Sequence, residues 1–256
     1  MIAHGGNRVG LLEAEGAEMT LVEHLEELRR RLFVCLAAVS AGAAIAFILR
    51  EAILRALLRP LPIEANALVG HDGRSLIAVT GIGEGFSVLL KLSIAAGIAL
   101  ASPVWIHQVW SFMRPALNGR ERKYALPATL VGIGLFVSGL TVGYITLRYP
   151  INWLLSFDDG LFVEVITADN YFTFVAYFLL AFGVTFELPL VLTSLALVGF
   201  VSSTTLAANR AKTLVGLWLI SCFVTPGADP YSPVIVGVAF TVLYFISEAL
   251  IRLIGR

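Results

Sequence analysis

The sequence predicts an all-α, polytopic membrane protein of about six transmembrane helices folded as a single-domain bundle. Three observations carry that prediction. Of the 256 residues 58% are hydrophobic and 14% charged, whereas soluble domains carry about a quarter charged residues. Uncharged runs recur at Leu32–Leu49, Leu92–Met113, Ala125–Leu147, Tyr171–Phe186, Leu188–Asn209, Thr213–Ala228 and Tyr231–Ser247, and a helix needs about 20 such residues to cross the hydrocarbon core. Lys and Arg fall unevenly on the alternate connections between them, as the positive-inside rule demands of a helical membrane protein. A strand barrel would instead show short alternating segments.

Residues 1–19 hold few large apolar side chains and four glycines, Gly5, Gly6, Gly10 and Gly16, a composition that predicts a disordered tail. No short apolar core with a cleavage site precedes the first long run, so a cleavable signal is not expected. The membrane domain is expected over 20–256. Thr20 with Glu23 forms a capping-box pattern, and Leu21, Leu25, Leu28 and Leu32 fall on one helical face, which predicts an amphipathic helix running into the first span over 32–49. On its polar face Glu26 and Arg30, and Glu27 and Arg31, stand at the favourable i, i+4 spacing.

Arg50, Arg55 and Arg59 follow, and a long connection reaches Gly85; the apolar residues of Leu54–Leu61 predict a short helix lying on the membrane. Gly81, Gly83 and Gly85 lack the GxGxxG spacing of a nucleotide loop. The second span is expected over 86–110, bent by Pro103. Pro115, Asn118 and Gly119 mark turns in the basic connection Ser111–Tyr124. The third span, 126–149, ends near Tyr149 and Pro150 and holds Gly139 and Gly143 at the GxxxG spacing of closely packed helices. The fourth occupies 171–197 and stops at Gly199. The fifth, 213–225, is too short to cross about 30 Å of hydrocarbon, and the sixth occupies 231–251. Cys35 and Cys222 both fall in spans, where packing is the expected role rather than a disulfide or a metal site.

With six spans, one side of the membrane carries twelve Lys and Arg residues, among them Arg29, Arg114, Arg122, Arg210 and Arg252, and the other carries five. That bias predicts cytoplasmic termini. It also sets Glu27 and Glu121 on one face, each in a positive neighbourhood.

Glu187 interrupts the fourth span, with sixteen uncharged residues before it and twenty-two after. A carboxyl group there costs at least about 2.5 kcal/mol on insertion scales, so it faces protein or a wet cavity. Pro189 removes a donor and frees a carbonyl near Thr185, making a polar notch. The roles that stay open are a functional site, a pairing that only locks helices together, or a protonated and inert acid.

Three stretches resemble one family. His24–Leu32 (HLEELRRRL) resembles the HLxELRxRL motif of TatC proteins, the multi-spanning receptor subunit of the twin-arginine protein translocase. Ser102–Lys123 (SPVWIHQVWSFMRPALNGRERK) is similar to the family's SPxxxYQxWxFxxPaLxxxERr, and Ala181–Pro189 (AFGVTFELP) to its AFGxxFExP. Thr225, Pro226 and Asp229 match its last outer loop. The chain departs from the pattern at His107, where Tyr is usual, at Arg114, and at Thr80–Phe86 (TGIGEGF), which lacks the usual proline.

The resemblance implies a receptor in the cytoplasmic (inner) membrane of a prokaryote, with a concave bundle. It would bind twin-arginine signal peptides and, with single-span TatA- and TatB-type subunits and further copies of itself, export folded proteins on the proton-motive force. Glu27 and Glu121 would read the arginine pair, with Arg29, Phe112, Pro115 and Leu117 shaping that site. Glu187, beside Pro189, would meet a polar group of a partner helix or of the inserted peptide. Two carboxylates suit two guanidinium forks better than they suit ammonium groups. No nucleophile with a base, zinc motif or P-loop is present, so no enzymatic activity, cofactor, metal or nucleic-acid partner is expected. The residues without the resemblance also allow a proton- or cation-coupled carrier of small solutes, which would need an internal cavity for a small ligand.

Overall fold

The computed structural model describes residues 21–61, 77–113, 125–156, 166–226 and 229–255. Eleven helices order these residues: α1 (Leu21–Ile48), α2 (Arg50–Leu58), α3 (Glu84–Leu100), α4 (Ser102–Met113), α5 (Ala125–Thr146), α6 (Arg148–Leu155), α7 (Ala168–Thr185), α8 (Leu188–Val198), α9 (Ser203–Ala208), α10 (Arg210–Val224) and α11 (Tyr231–Ile254). No strand forms among the described residues; a single backbone bridge joins Ala78 to Thr167. The tail 1–19 and the segments 62–76, 114–124 and 157–165 lie outside the described residues.

Among the described residues four helical stretches are long and apolar enough to cross a membrane, and the bent pair α3 and α4, taken as one span, would be a fifth. The expected short fifth span corresponds to α10, whose 15 residues rise only about 22 Å and which is not among these stretches.

Three breaks follow from proline. α3 and α4 meet at 53° beside Pro103, and the Trp105 indole donates to the Ile98 carbonyl (3.1 Å) in the last turn of α3. Pro189 stands in the first turn of α8, directly after the break at Phe186 and Glu187. Pro150 corrects the expected end of the third span: it sits in the first turn of α6, where a missing N–H goes unmissed, and the helical path runs on to Leu155.

The short helix after the first span is present as α2, but its apolar face lies on protein rather than on the membrane. Leu57 and Leu61 are buried in the main core, and the hydroxyls of Tyr171 and Tyr144 donate to the carbonyls of Leu57 and Ala56, both at 2.7 Å. The core behind it is aromatic, with Phe178, Phe182 and Tyr244 fully buried.

Helix packing runs α1 on α3, α3 on α7, α7 on α5 and α5 on α4, while α8 and α10 pack on α11. Glycines allow the closest approaches. A Cβ on Gly97 would lie 2.6 Å from the Ala43 nitrogen, so α1 and α3 touch backbone to backbone at Gly42 and Gly97. The Gly139 and Gly143 pair serves α5 and α7 in the same way: a Cβ on Gly139 would stand 2.6 Å from the Phe182 carbonyl oxygen. α1 is otherwise the least covered of the four long stretches, with Leu32, Leu36 and Ile45 exposed, as suits side chains turned to lipid.

Candidate functional site

Two carboxylates are held where their chemistry is not exhausted. The first is Glu27, in the polar stretch of α1. Its i, i+4 partner Arg31 donates from Nε to Glu27 Oε1 at 3.0 Å, and Arg31 Nη2 donates to the same oxygen. The same guanidinium crosses to α4, where Nη1 donates to Gln108 Oε1 and Nη2 to the Ser111 carbonyl, both at 3.0 Å. Glu27 Oε2 is buried and receives no hydrogen bond. A buried acceptor without a donor costs about 1–3 kcal/mol or more, so it marks a place where a donor is missing.

A cavity of about 690 Å³ lies against this part of α1, lined by Glu23, Glu27, Arg29, Arg31 and Phe33 among others. Arg29 is exposed, with its guanidinium 5.7 Å from the centre of the Phe33 ring. Phe112 is half-buried in the last turn of α4. Pro115, Leu117 and Glu121 lie outside the described residues, so of the expected receptor set Glu27, Arg29 and Phe112 are placed. Sequence reading missed Gln108 and Ser111, which join α4 to Glu27 through Arg31. Their side chains and carbonyls are unremarkable as letters, and only the fold brings them within reach.

His107, the departure from the family pattern, lies one residue before Gln108. Its ring stands 3.3 Å from Ser111 Oγ and 3.5 Å from Thr129 Oγ1 in α5.

The second carboxylate is Glu187. It falls at the break between α7 and α8, where its nitrogen donates to Val184 and its carbonyl accepts from Val191. The side chain is 7% exposed, and Oε1 has no hydrogen-bond partner. Oε2 lies over Gly132 of α5: a Cβ there would stand 3.4 Å from Oε2 and 2.9 Å from Ile106 and Leu190. The hydroxyl of Thr185 is also buried without a partner. Residues of α4, α5 and α8 thus surround the Glu187 carboxyl group, two residues before Pro189.

A third acidic residue, Glu248, had no place in the sequence reading. It is buried in α11 and paired with Arg210 and Arg252, and nothing on it remains open. Among the described residues no group of three or more His, Cys, Asp or Glu side chains comes together to fit a metal ion.

Residues 23–239 match the family described as Sec-independent protein translocase protein (TatC). The chain is 35% identical over 234 residues to the Sec-independent protein translocase protein TatC of Carboxydothermus hydrogenoformans, covering 91% of this chain and 93% of that one. It is 33% identical over 235 residues to the protein of that name from Frankia casuarinae, covering 90% of this chain but 65% of the relative. It thus spans about two thirds of one relative and nearly all of the other. Among solved structures, a crystal structure of the twin-arginine translocase receptor TatC superimposes with a TM-score of 0.75 at 31% identity, over 91% of this chain and 100% of that one.

Proposed function

The chain belongs to the TatC family of Sec-independent protein translocase proteins, and from that membership we propose that it is the signal-peptide receptor of a twin-arginine translocase. Glu27 takes one arginine of the peptide and Glu121 the other, with Arg29, Phe112, Pro115 and Leu117 around them. The observation that carries this reading is the unpartnered, buried Oε2 of Glu27 beside α4, since a guanidinium N–H supplies the donor it lacks.

The receptor sits in the prokaryotic inner membrane with six spans, α10 among them, and both termini in the cytoplasm, as the twelve-to-five distribution of basic residues supports. It works with single-span TatA- and TatB-type subunits and further copies of itself, and transport draws on the proton-motive force. Glu187, with Thr185, offers hydrogen bonds to a polar group on a partner's span or on the inserted peptide. A small-solute carrier is less favoured. The cavity of about 380 Å³ between α2, α3, α5 and α7 is lined by Leu57, Leu92, Leu140 and Leu179 and has almost no polar surface to coordinate a solute.

The deciding experiment measures a labelled signal peptide against the detergent-solubilised chain, with its arginine pair intact or changed to two lysines. Binding that needs the arginines and weakens roughly ten- to a hundredfold in Glu27→Ala and in Glu121→Ala supports the receptor reading. Unchanged affinity in both variants overturns it. Cysteines placed at Ala3 and Asp158 test the topology, because labelling of both from one side would exclude six spans.

A further inference from the structure

We infer that Gln108 is a positioning residue for Glu27: with the Ser111 carbonyl it holds Arg31 on one oxygen of that carboxylate and keeps the other, buried oxygen unpaired for a single guanidinium edge. The inference rests on the receptor reading of Glu27.

A guanidinium and a carboxylate left to themselves settle fork on fork, with two parallel N–H···O bonds that use both oxygens. Arg31 and Glu27 are one turn apart and free to do so. They do not: Nε and Nη2 both donate to Oε1, while the buried Oε2 receives nothing. The remaining donors explain the offset. Nη1 is taken by Gln108 Oε1 and Nη2 is shared with the Ser111 carbonyl, both on α4, so α4 draws the guanidinium sideways off Oε2.

The offset has two consequences for a ligand. Only one oxygen lacks a donor, so the ligand's contact at Glu27 is single-edged. Moreover, Arg31 already neutralises the carboxylate. A neutralised acceptor rewards directed N–H donors more than bare charge, which favours a planar guanidinium over a compact ammonium. Arg31 and Gln108 therefore serve discrimination between arginine and lysine as well as affinity.

Peptide affinity of the full chain, measured with the two-arginine and the two-lysine peptide, tests this. Gln108→Leu frees Arg31 to close on both oxygens, and affinity for the two-arginine peptide falls roughly tenfold. Gln108→Glu keeps an acceptor for Arg31 and loses less. The double variant Gln108→Leu with Arg31→Gln uncovers the carboxylate again; two-arginine affinity recovers, and preference over the two-lysine peptide drops because Glu27 now presents its full charge. A purely structural Gln108 predicts a double variant at least as weak as the single one, and that result, or unchanged affinity in Gln108→Leu, overturns the inference. Unchanged affinity in Glu27→Gln is a separate failure, that of the receptor reading itself.

Discussion

Arg210 and Glu248 are joined fork on fork: Arg210 Nε donates to Glu248 Oε2 at 2.9 Å and Nη2 to Oε1 at 2.5 Å, linking the start of α10 to the buried side of α11. Arg252, one turn further along α11, donates to the same Oε1. The pair ties the first residue of α10, a helix of 15 residues, to α11. Tyr244 adds a bond from its hydroxyl to the Leu206 carbonyl (2.8 Å), drawing in α9.

Breaking that pair from one side leaves a buried charge short of a partner, which destabilises more than removing both charges does. Arg210→Met is expected to lower the Tm of the purified protein clearly, and Arg210→Met with Glu248→Leu to recover much of the loss. Thermal unfolding in detergent measures both. A double variant no more stable than the single one would show that the ion pair is not what holds α10.

Gly139 is expected to tolerate no side chain. A methyl group there meets the Phe182 carbonyl oxygen at 2.6 Å and the Phe186 Cβ at 2.9 Å, and backbone cannot yield as a side chain end does. Gly139→Ala should cost about 1–3 kcal/mol through forced separation of α5 and α7. Gly134→Ala, five residues earlier in the same helix with nothing within 4 Å, is the control and should be neutral or slightly stabilising. Equal Tm for the two variants would refute the close crossing.

Glu84 ties the N-terminal ends of α3 and α7 together. Its Oε2 accepts from the Thr80 nitrogen and hydroxyl and the Gly81 nitrogen, and its Oε1 accepts from the Asp169 nitrogen at 3.2 Å. Lys91 and Asp169 pair beside it at 2.7 Å. Glu84→Ala should loosen this end, with faster hydrogen exchange at the amides of Thr80, Gly81 and Asp169 and little change around α11. Exchange that rises evenly across the bundle would place the effect elsewhere.

Glu187→Gln keeps both a donor and an acceptor and should be mild. Glu187→Leu removes them, and is expected to leave the fold and two-arginine peptide binding intact while impairing assembly with single-span partners or transport itself. Crosslinking from a photoreactive residue at position 187 checks the contact directly: capture of lipid alone, with partners present and absent, would leave Glu187 as a packing feature.

Much of the architecture was legible from local rules. The apolar runs located the long helices because hydrocarbon leaves the backbone no other partners. Prolines 103 and 189 marked real breaks, the GxxxG pair marked a real crossing, and the spacing of Glu27 and Arg31 announced a real ion pair. Errors came where a local rule has two outcomes. Pro150 was read as a helix end, yet in a first turn it starts one. The apolar face of α2 was assigned to lipid, yet it found Tyr144 and Tyr171 first.

What the sequence determined by itself is therefore the helical, apolar character of the segments, the prolines at their breaks, and the presence of carboxylates where carboxylates are costly. Tertiary structure alone decided which of those carboxylates are finished. Glu248 is satisfied because Arg210 arrives from 38 residues away, whereas Glu27 and Glu187 each keep an oxygen without a donor. The physical reason is that hydrophobic periodicity and proline act over a few residues of one helix, while a hydrogen bond is directional over about 3 Å. Whether its two ends meet depends on how whole helices pack.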